Sequence, residues 1–502
     1  MQHSRLLLPV IGLLFMTLAA ACNEKTDDTE DLYTPSDSVA VSSFKLTADS
    51  KVLSSLDKVF FSIDLTHRVI YNADSLPVGT DVSKLIPVIT YPNTVTAATI
   101  RMSGGTLREG DVNYLESPTD TIDFTGHVSL ILQAGSDLTA EYRLKVNVHK
   151  TNPDTIAWSK GGYAPFPSRM ANPRTQKTVN TSGSSVASLI EEADGTYTLS
   201  SAPAPDGAWT KTALQLPFVP RIRTLEWMEG NYYMLASDGR LMESPDGADW
   251  KAAGPYWRNI IGVFGGRILG LRNSADGVIL HTQYPLGDYT ETEIDSEFPV
   301  EYYSNLGVFA TRWSNDPTAF IVGGQTAAGQ VCSSTWAFDG SNWAEISSHS
   351  LPAVKHATLI PYFAYRKTSE SSWKLTEYSV WLAVGGIEPT GAMTRKLYLS
   401  YDNGVNWTLA SGFMQLPDFI PSFRQADAIV ANQTMTGNYD SAWTQADTPR
   451  SPAFRINYEI DGTGVTWECP YIYLFGGITL QGELIPNINR AVLARLSFIP
   501  LI

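Results

Sequence analysis

The chain has 502 residues, with 38 Gly, 29 Pro, 13 Trp and 23 Tyr, and a formal net charge of −15. Its length allows at least two domains and a large core, and the turn-former and aromatic content, with no long amphipathic helical pattern after the N-terminus, points to an all-β protein. The acidity excludes general nucleic-acid binding, and three cysteines (Cys22, Cys332 and Cys469) exclude a disulfide-dense scaffold and a cysteine-rich zinc site.

Residues 1–22 read as a targeting segment. Arg5 gives a positive start, Leu6 to Ala20 is apolar but short for a membrane span, and Ala19, Ala20 and Ala21 precede Cys22. This resembles a bacterial lipoprotein signal, which implies that Cys22 is lipidated; an ordinary secretory signal cleaved nearby is the alternative. Residues 23–38 begin with a polar, acidic run, Asn23 to Asp31, that cannot bury enough surface to fold and reads as a tether. An acidic run after the lipidated cysteine resembles the surface-export signal of Bacteroidetes lipoproteins. That resemblance implies an outer-membrane anchor facing the cell exterior, with the periplasm as the alternative.

Residues 39–150 contain strand-like runs at Val39–Leu46, Val59–Leu65, Arg68–Asn72, Ile86–Tyr91, Ala97–Met102, His127–Gln133 and Glu141–Val148. Seven short strands separated by turns predict an immunoglobulin-like β-sandwich, without the Cys–Trp–Cys pattern of true immunoglobulin domains. The segment Val69 to Thr80 resembles the N-terminal modules of Bacteroidetes surface lipoproteins, and Asp74 and Ser75 within it read as turn caps. A spacer or docking surface is the expected role.

From Asp154 onward a unit recurs with three marks. A lead-in proline opens each of six units: Pro167, Pro220, Pro255, Pro299, Pro352 and Pro421. An apolar run follows, read as the inner strand, as in Phe320–Gly324, Val380–Gly386, Tyr471–Ile478, Tyr232–Gly239 and Ile261–Leu271. An Asp/Gly turn then leads to an aromatic: Trp209, Trp250, Tyr289, Trp343 and Trp407. These marks resemble the kelch repeat, and Ser400 to Trp407 resembles the Asp-box of sialidase-type propellers. The resemblance implies a six-bladed β-propeller over residues 154–502. The sixth unit lacks its own Trp turn, and the strand 155–159 reads like its missing outer strand, paired with Ala491–Phe498 to close the ring.

Just after the lead-in prolines the chain places Arg169, Arg221 and Arg223, Arg258, Tyr302 and Tyr303, Lys355 and His356, and Arg424. A ring of cations at one mouth of the channel would be a local positive field in an acidic chain, suited to carboxylate, sulfate or phosphate. The expected ligand-binding set is therefore Arg169, Arg223, Arg258, Tyr303, Lys355, His356 and Arg424. Its expected partner is an acidic glycan or a surface protein, with Tyr256, Trp257 and Phe423 available to stack on sugar rings. The same cations would instead hold the ring together if they paired with acids of neighbouring units. A sialidase-like hydrolase is an alternative, but the family's Arg-Ile-Pro motif is absent: Pro220-Arg221-Ile222-Arg223 orders the residues differently. A structural subunit of an outer-membrane complex is another. Seven scattered histidines show no metal spacing, and no phosphate-loop or dinucleotide motif is present, so no catalytic residue and no cofactor are expected.

Overall fold

The structure is a computed structural model and describes residues 38–72, 75–135, 138–148, 155–310, 317–367, 375–438, 457–458 and 464–493. The targeting segment, Cys22, most of the tether and residues 494–498 of the expected closing pair lie outside them. The chain divides into two compact units, one within 1–73 and 81–146, the other within 74–80 and 147–502. The described residues are strands joined by turns and three short 3-10 segments, and none of their helices is long and apolar enough to cross a membrane.

In the first unit a six-stranded sheet runs in the order Ser62–Asp64, Val69–Tyr71, Leu138–Lys145, His127–Ala134, Val95–Ser103 and Gly110–Asn113. Only the pairing of Val69–Tyr71 with Leu138–Lys145 is parallel. Ser43–Leu46 pairs with Pro87–Thr90 in a second sheet. Val128, Leu130, Leu132 and Ala134 are buried while their neighbours are not, the period of a strand with one face on a core. The Tyr114 hydroxyl donates to the Pro87 carbonyl at 3.1 Å and accepts from the Ile89 N–H at 3.0 Å, tying the two sheets.

The second unit is a succession of six sheets. Five are four-stranded meanders whose first strands are Thr175–Asn180, Glu226–Met228, Asn259–Phe264, Gly307–Ala310 and Thr358–Lys367. The sixth draws on both ends of the unit: Arg424–Asn438, Gly464–Ile478 and Asn487–Leu493 are extended by Ile156–Trp158, with Trp158 opposite Ala491 and Ile156 opposite Leu493. First strands of the first and second, second and third, fourth and fifth, and fifth and sixth sheets pack on one another, and Arg424–Asn438 packs on Thr175–Asn180, so the first strands lie innermost. The apolar runs read as inner strands are therefore second strands: Pro317–Val322, Leu375–Val384 and Gly464–Ile478 each sit one place out from the centre. They are apolar because they have sheet on both sides, whereas the innermost strands face the central space.

The repeated marks have physical causes. The Gly pairs at the ends of the second strands take left-handed backbone, φ +60° and +103° at Gly323 and Gly324. A Cβ at Gly323 would stand 2.2 Å from the Val354 carbonyl oxygen in the next lead-in loop. In the turn after Ser400, the Asp402 carboxylate accepts the Asn406 N–H and the Ser400 hydroxyl accepts the Gly404 N–H. The indole of Trp407 then donates to Thr335 of the preceding sheet at 3.1 Å. Trp209 makes the same kind of bridge from the first sheet to Phe475 of the sixth, with ring centroids 5.9 Å apart.

One carboxylate ties together sheets far apart in sequence. Asp427, on the innermost strand of the sixth sheet, accepts from Gln176 (3.0 Å), Lys177 (3.1 Å) and the Thr178 N–H (2.9 Å) of the first sheet. It also accepts two bonds from Arg223, on the second sheet's lead-in, at 2.8 and 3.0 Å. Its side chain is only 5% exposed. Burial alone would raise its pKa, but the charges of Arg223 and Lys177 and the donated hydrogen bonds outweigh it and hold the carboxyl below its ordinary value.

Asp427→Asn is expected to destabilise the second unit by about 3–5 kcal/mol in denaturant titrations, because one buried and one half-buried cation, Lys177 and Arg223, lose their counter-charge. A loss under about 1 kcal/mol would contradict this. Because the folded pKa is depressed, the charge contributes fully above the unfolded carboxylate value of about 3.9 and is lost as pH falls through the folded value. The wild type should therefore lose stability with acid more steeply than the variant. Deleting residues 150–160, which carry Ile156–Trp158, is expected to lower the melting temperature of the second unit; an unchanged transition would refute a closing role for that strand.

Candidate functional site

The innermost strands and their lead-in loops surround a cavity of about 430 Å³. Small-molecule sites typically span roughly 300–1,000 Å³. All six sheets contribute to its wall, among them Lys177, Arg223, Glu226, Glu301, Tyr302, His356 and Gln425.

The structure divides the cations expected to ring this mouth. Arg223 lines the cavity but spends its guanidinium on Asp427 and, at 2.6 Å, on the Gln176 carbonyl. Arg258 bonds Glu301 at 3.1 Å. Lys355 and Arg424 flank the lining residues His356 and Gln425; the Lys355 ammonium sits 5.4 Å from the Tyr302 ring centroid, and Arg424 donates to Gln425 at 3.4 Å. Arg169 stands apart: its side chain is exposed, outside the cavity wall, and its backbone N–H donates to Glu192. Lys177 supplies the first sheet's cation in its place. Arg221 lines the cavity with one donor committed, to the Arg258 carbonyl at 2.7 Å.

The aromatics are also redistributed. Trp257 and Phe423, expected to stack on a ligand, are 4% and 0% exposed. They pack on Gly270 and on Gly385, where an added Cβ would collide with them. Tyr256 is exposed on the outermost strand of the second sheet. The aromatic surface on the cavity belongs to Tyr302, 41% exposed. Tyr303 is tied down, its hydroxyl donating to the Ile260 carbonyl at 2.9 Å, and burial raises its pKa far above the ordinary phenol.

Three wall residues share an unusual backbone. Tyr302 and His356, on two successive lead-in loops, and Gln425, at the start of the next sheet's innermost strand, hold φ of +60°, +63° and +59°. The His356 N–H donates to the Tyr302 carbonyl at 2.6 Å and the Gln425 N–H to the His356 carbonyl at 3.4 Å, so each strained residue anchors the next. Left-handed backbone at bulky residues costs on the order of 1 kcal/mol each and clusters at ligand sites. The His356 ring lies 4.5 Å from that of Tyr302. Burial, then Arg424, Arg223 and Lys355, push its pKa down to about 3, so it is a neutral imidazole at ordinary pH.

Glu226, at the start of the second sheet's innermost strand, is the wall's uncommitted acid. Among the described residues no group hydrogen-bonds or ion-pairs its carboxylate. Burial and the Asp427 charge raise its pKa, against the lowering charges of Lys177 and Arg223. Glu226 and Asp427 were both missed by sequence reasoning, yet a signal exists: each follows a lead-in arginine by three residues, Arg223 to Glu226 and Arg424 to Asp427. Among the described residues no group of three His, Cys, Asp or Glu side chains is placed to hold a metal.

Residues 152–501 match the DUF6242 beta propeller domain, and residues 39–146 match the DUF6242 N-terminal domain. A search of curated proteins finds no match. Among solved structures, YjhT aligns with a TM-score of 0.34 and 12% identity over 61% of this chain and 96% of its own. AofleA from Arthrobotrys oligospora aligns with a TM-score of 0.34 and 11% identity over 66% of this chain and 85% of its own. A Trypanosoma rangeli sialidase in complex with 2,3-difluorosialic acid aligns with a TM-score of 0.33 and 9% identity, and this chain spans 58% of its length. With more than half its length matched, the chain belongs to the DUF6242 family, and its second unit is that family's beta propeller domain.

Proposed function

We propose that this protein is a non-catalytic glycan-binding lipoprotein of the outer membrane's exterior face. Cys22 is its lipid anchor, residues 23–38 its tether and an immunoglobulin-like sandwich its spacer. A six-bladed propeller with kelch and Asp-box marks, closed by Ile156–Trp158, carries the site. Six consecutive sheets in the second unit support the blade number. The observation that carries the binding reading is the 430 Å³ central cavity, walled by residues from the innermost strand or the lead-in loop of every one of the six sheets and faced by Tyr302, His356 and Gln425 on strained backbone. Rigid polar groups beside an exposed aromatic ring suit a sugar, which offers hydroxyls at its rim and C–H bonds on its face.

Non-catalytic binding is preferred to sialidase-type hydrolysis because of two commitments. Arg223, needed in a carboxylate clamp, is held by Asp427, and the Tyr303 hydroxyl is held by the Ile260 carbonyl. A phenol with a raised pKa is a poor nucleophile.

Tyr302→Gly removes the ring at a backbone position where glycine is at ease. It is expected to weaken binding to any glycan hit on an array by about tenfold, judged by the burial of one aromatic side chain, with the melting temperature essentially kept. Undiminished binding would place the ligand elsewhere. For the address, Cys22→Ser should move the protein from the membrane to the soluble fraction, and protease added to intact cells should degrade the wild type; protection until lysis would indicate the periplasm instead.

A further inference from the structure

The wall of the central cavity carries groups of both signs, and their commitments narrow the ligand. Arg223 is engaged through both terminal nitrogens by Asp427 and the Gln176 carbonyl, and Arg258 is bound to Glu301. Arg221 has one donor engaged, by the Arg258 carbonyl. The Glu226 carboxylate has no hydrogen-bond or ion-pair partner among the described residues; it is half-buried and lines the cavity beside the charges of Lys177, Asp427 and Arg223. A half-buried carboxylate that the protein gives no donors is incompletely satisfied, so a ligand that brings hydroxyl or N–H donors gains at that point.

Three ligand classes can be weighed against these groups. An acidic sugar would offer Glu226 a second negative charge and would find the Arg223 fork already occupied. A cationic ligand would meet Glu226 but also Arg221, whose guanidinium lines the wall with one donor committed, to a carbonyl. A neutral polyhydroxyl ligand avoids both penalties. Its neighbouring hydroxyls can donate to the two oxygens of one carboxylate, and its ring oxygens can accept from the free donors of Arg221.

We infer that the cavity selects a neutral sugar, with Glu226 accepting from two adjacent hydroxyls, Arg221 donating, and the Tyr302 ring covering the sugar's C–H face. This deepens the binding reading above, rests on it, and replaces the acidic glycan expected from the lead-in cations. The paired groups make the wall rigid, and the open ones, Glu226 and Arg221, make it selective.

The test uses the mature protein on an array carrying neutral glycans (galactose-, mannose-, fucose- and N-acetylglucosamine-terminated) beside sialylated and uronate-bearing ones, with calorimetry on the hits. Neutral hits are expected, weakened about 10- to 100-fold by Glu226→Ala, as for loss of charge-assisted hydrogen bonds. Arg169→Ala, outside the cavity, should leave the affinity unchanged. Glu226 holds nothing in the fold, so its alanine variant should melt like the parent; if it does not, Glu226→Gln provides the readout, with a smaller loss expected. Retained affinity in a folded Glu226 variant overturns the inference. Binding confined to acidic glycans and abolished by Arg221→Ala also overturns it while leaving glycan binding intact. Failure to bind any glycan on the array overturns both.

Discussion

The second unit turns on the Asp427 carboxylate. It gathers five hydrogen bonds from the first sheet and from the lead-in of the second, and two of its donors are cations. A propeller's sheets are otherwise joined by apolar packing, which is tolerant of small shifts. Directional bonds at the centre are less tolerant. A buried charge whose satisfaction depends on three sheets penalises any arrangement that separates them. The position of the innermost strands, and with it the shape of the cavity, follows from that constraint. At the rim the sixth sheet is completed by strand pairing, Ile156–Trp158 on Asn487–Leu493, so the chain segment that leads into the first sheet is also the edge of the last.

The same interaction governs what the cavity can bind. A count of basic residues at the mouth suggests a positive field. Distances change that picture, because Lys177 and Arg223 neutralise Asp427 and Arg258 is paired with Glu301. What the wall offers a guest is the remainder: the open carboxylate of Glu226, the part-used guanidinium of Arg221, a neutral His356 and the ring of Tyr302. The three strained residues of consecutive sheets are held in place by their own chain of backbone hydrogen bonds, so the strain is maintained by the scaffold and not by a ligand.

Several features of the architecture were legible in the sequence. Gly-Gly after an apolar run marks a backbone that must turn through the left-handed region against a neighbouring loop, as at Gly323 beside Val354. Asp-x-Gly before Trp marks a turn whose side chain caps its own N–H groups, as at Asp402. Both signals are local, and a local signal survives in one dimension. The depth of each strand was misread, because apolar composition reports burial on two faces and not nearness to the axis. The stacking aromatics were misassigned for a related reason: Trp257 and Phe423 fill the space above Gly270 and Gly385, and nothing near them in sequence announces those partners.

The all-β class, the succession of turns and the lead-in positions from which the cavity wall is built can be read along the chain, since each depends on residues within a few places of one another. Only the tertiary structure decided which charges are spent and which are open. Asp427 meets Lys177 across 250 residues and Arg223 across 204. Glu226 remains open because, among the described residues, no donor from another sheet reaches it. Pairing of charges is a matter of ångströms between distant strands, and the order of residues along the chain does not contain those distances.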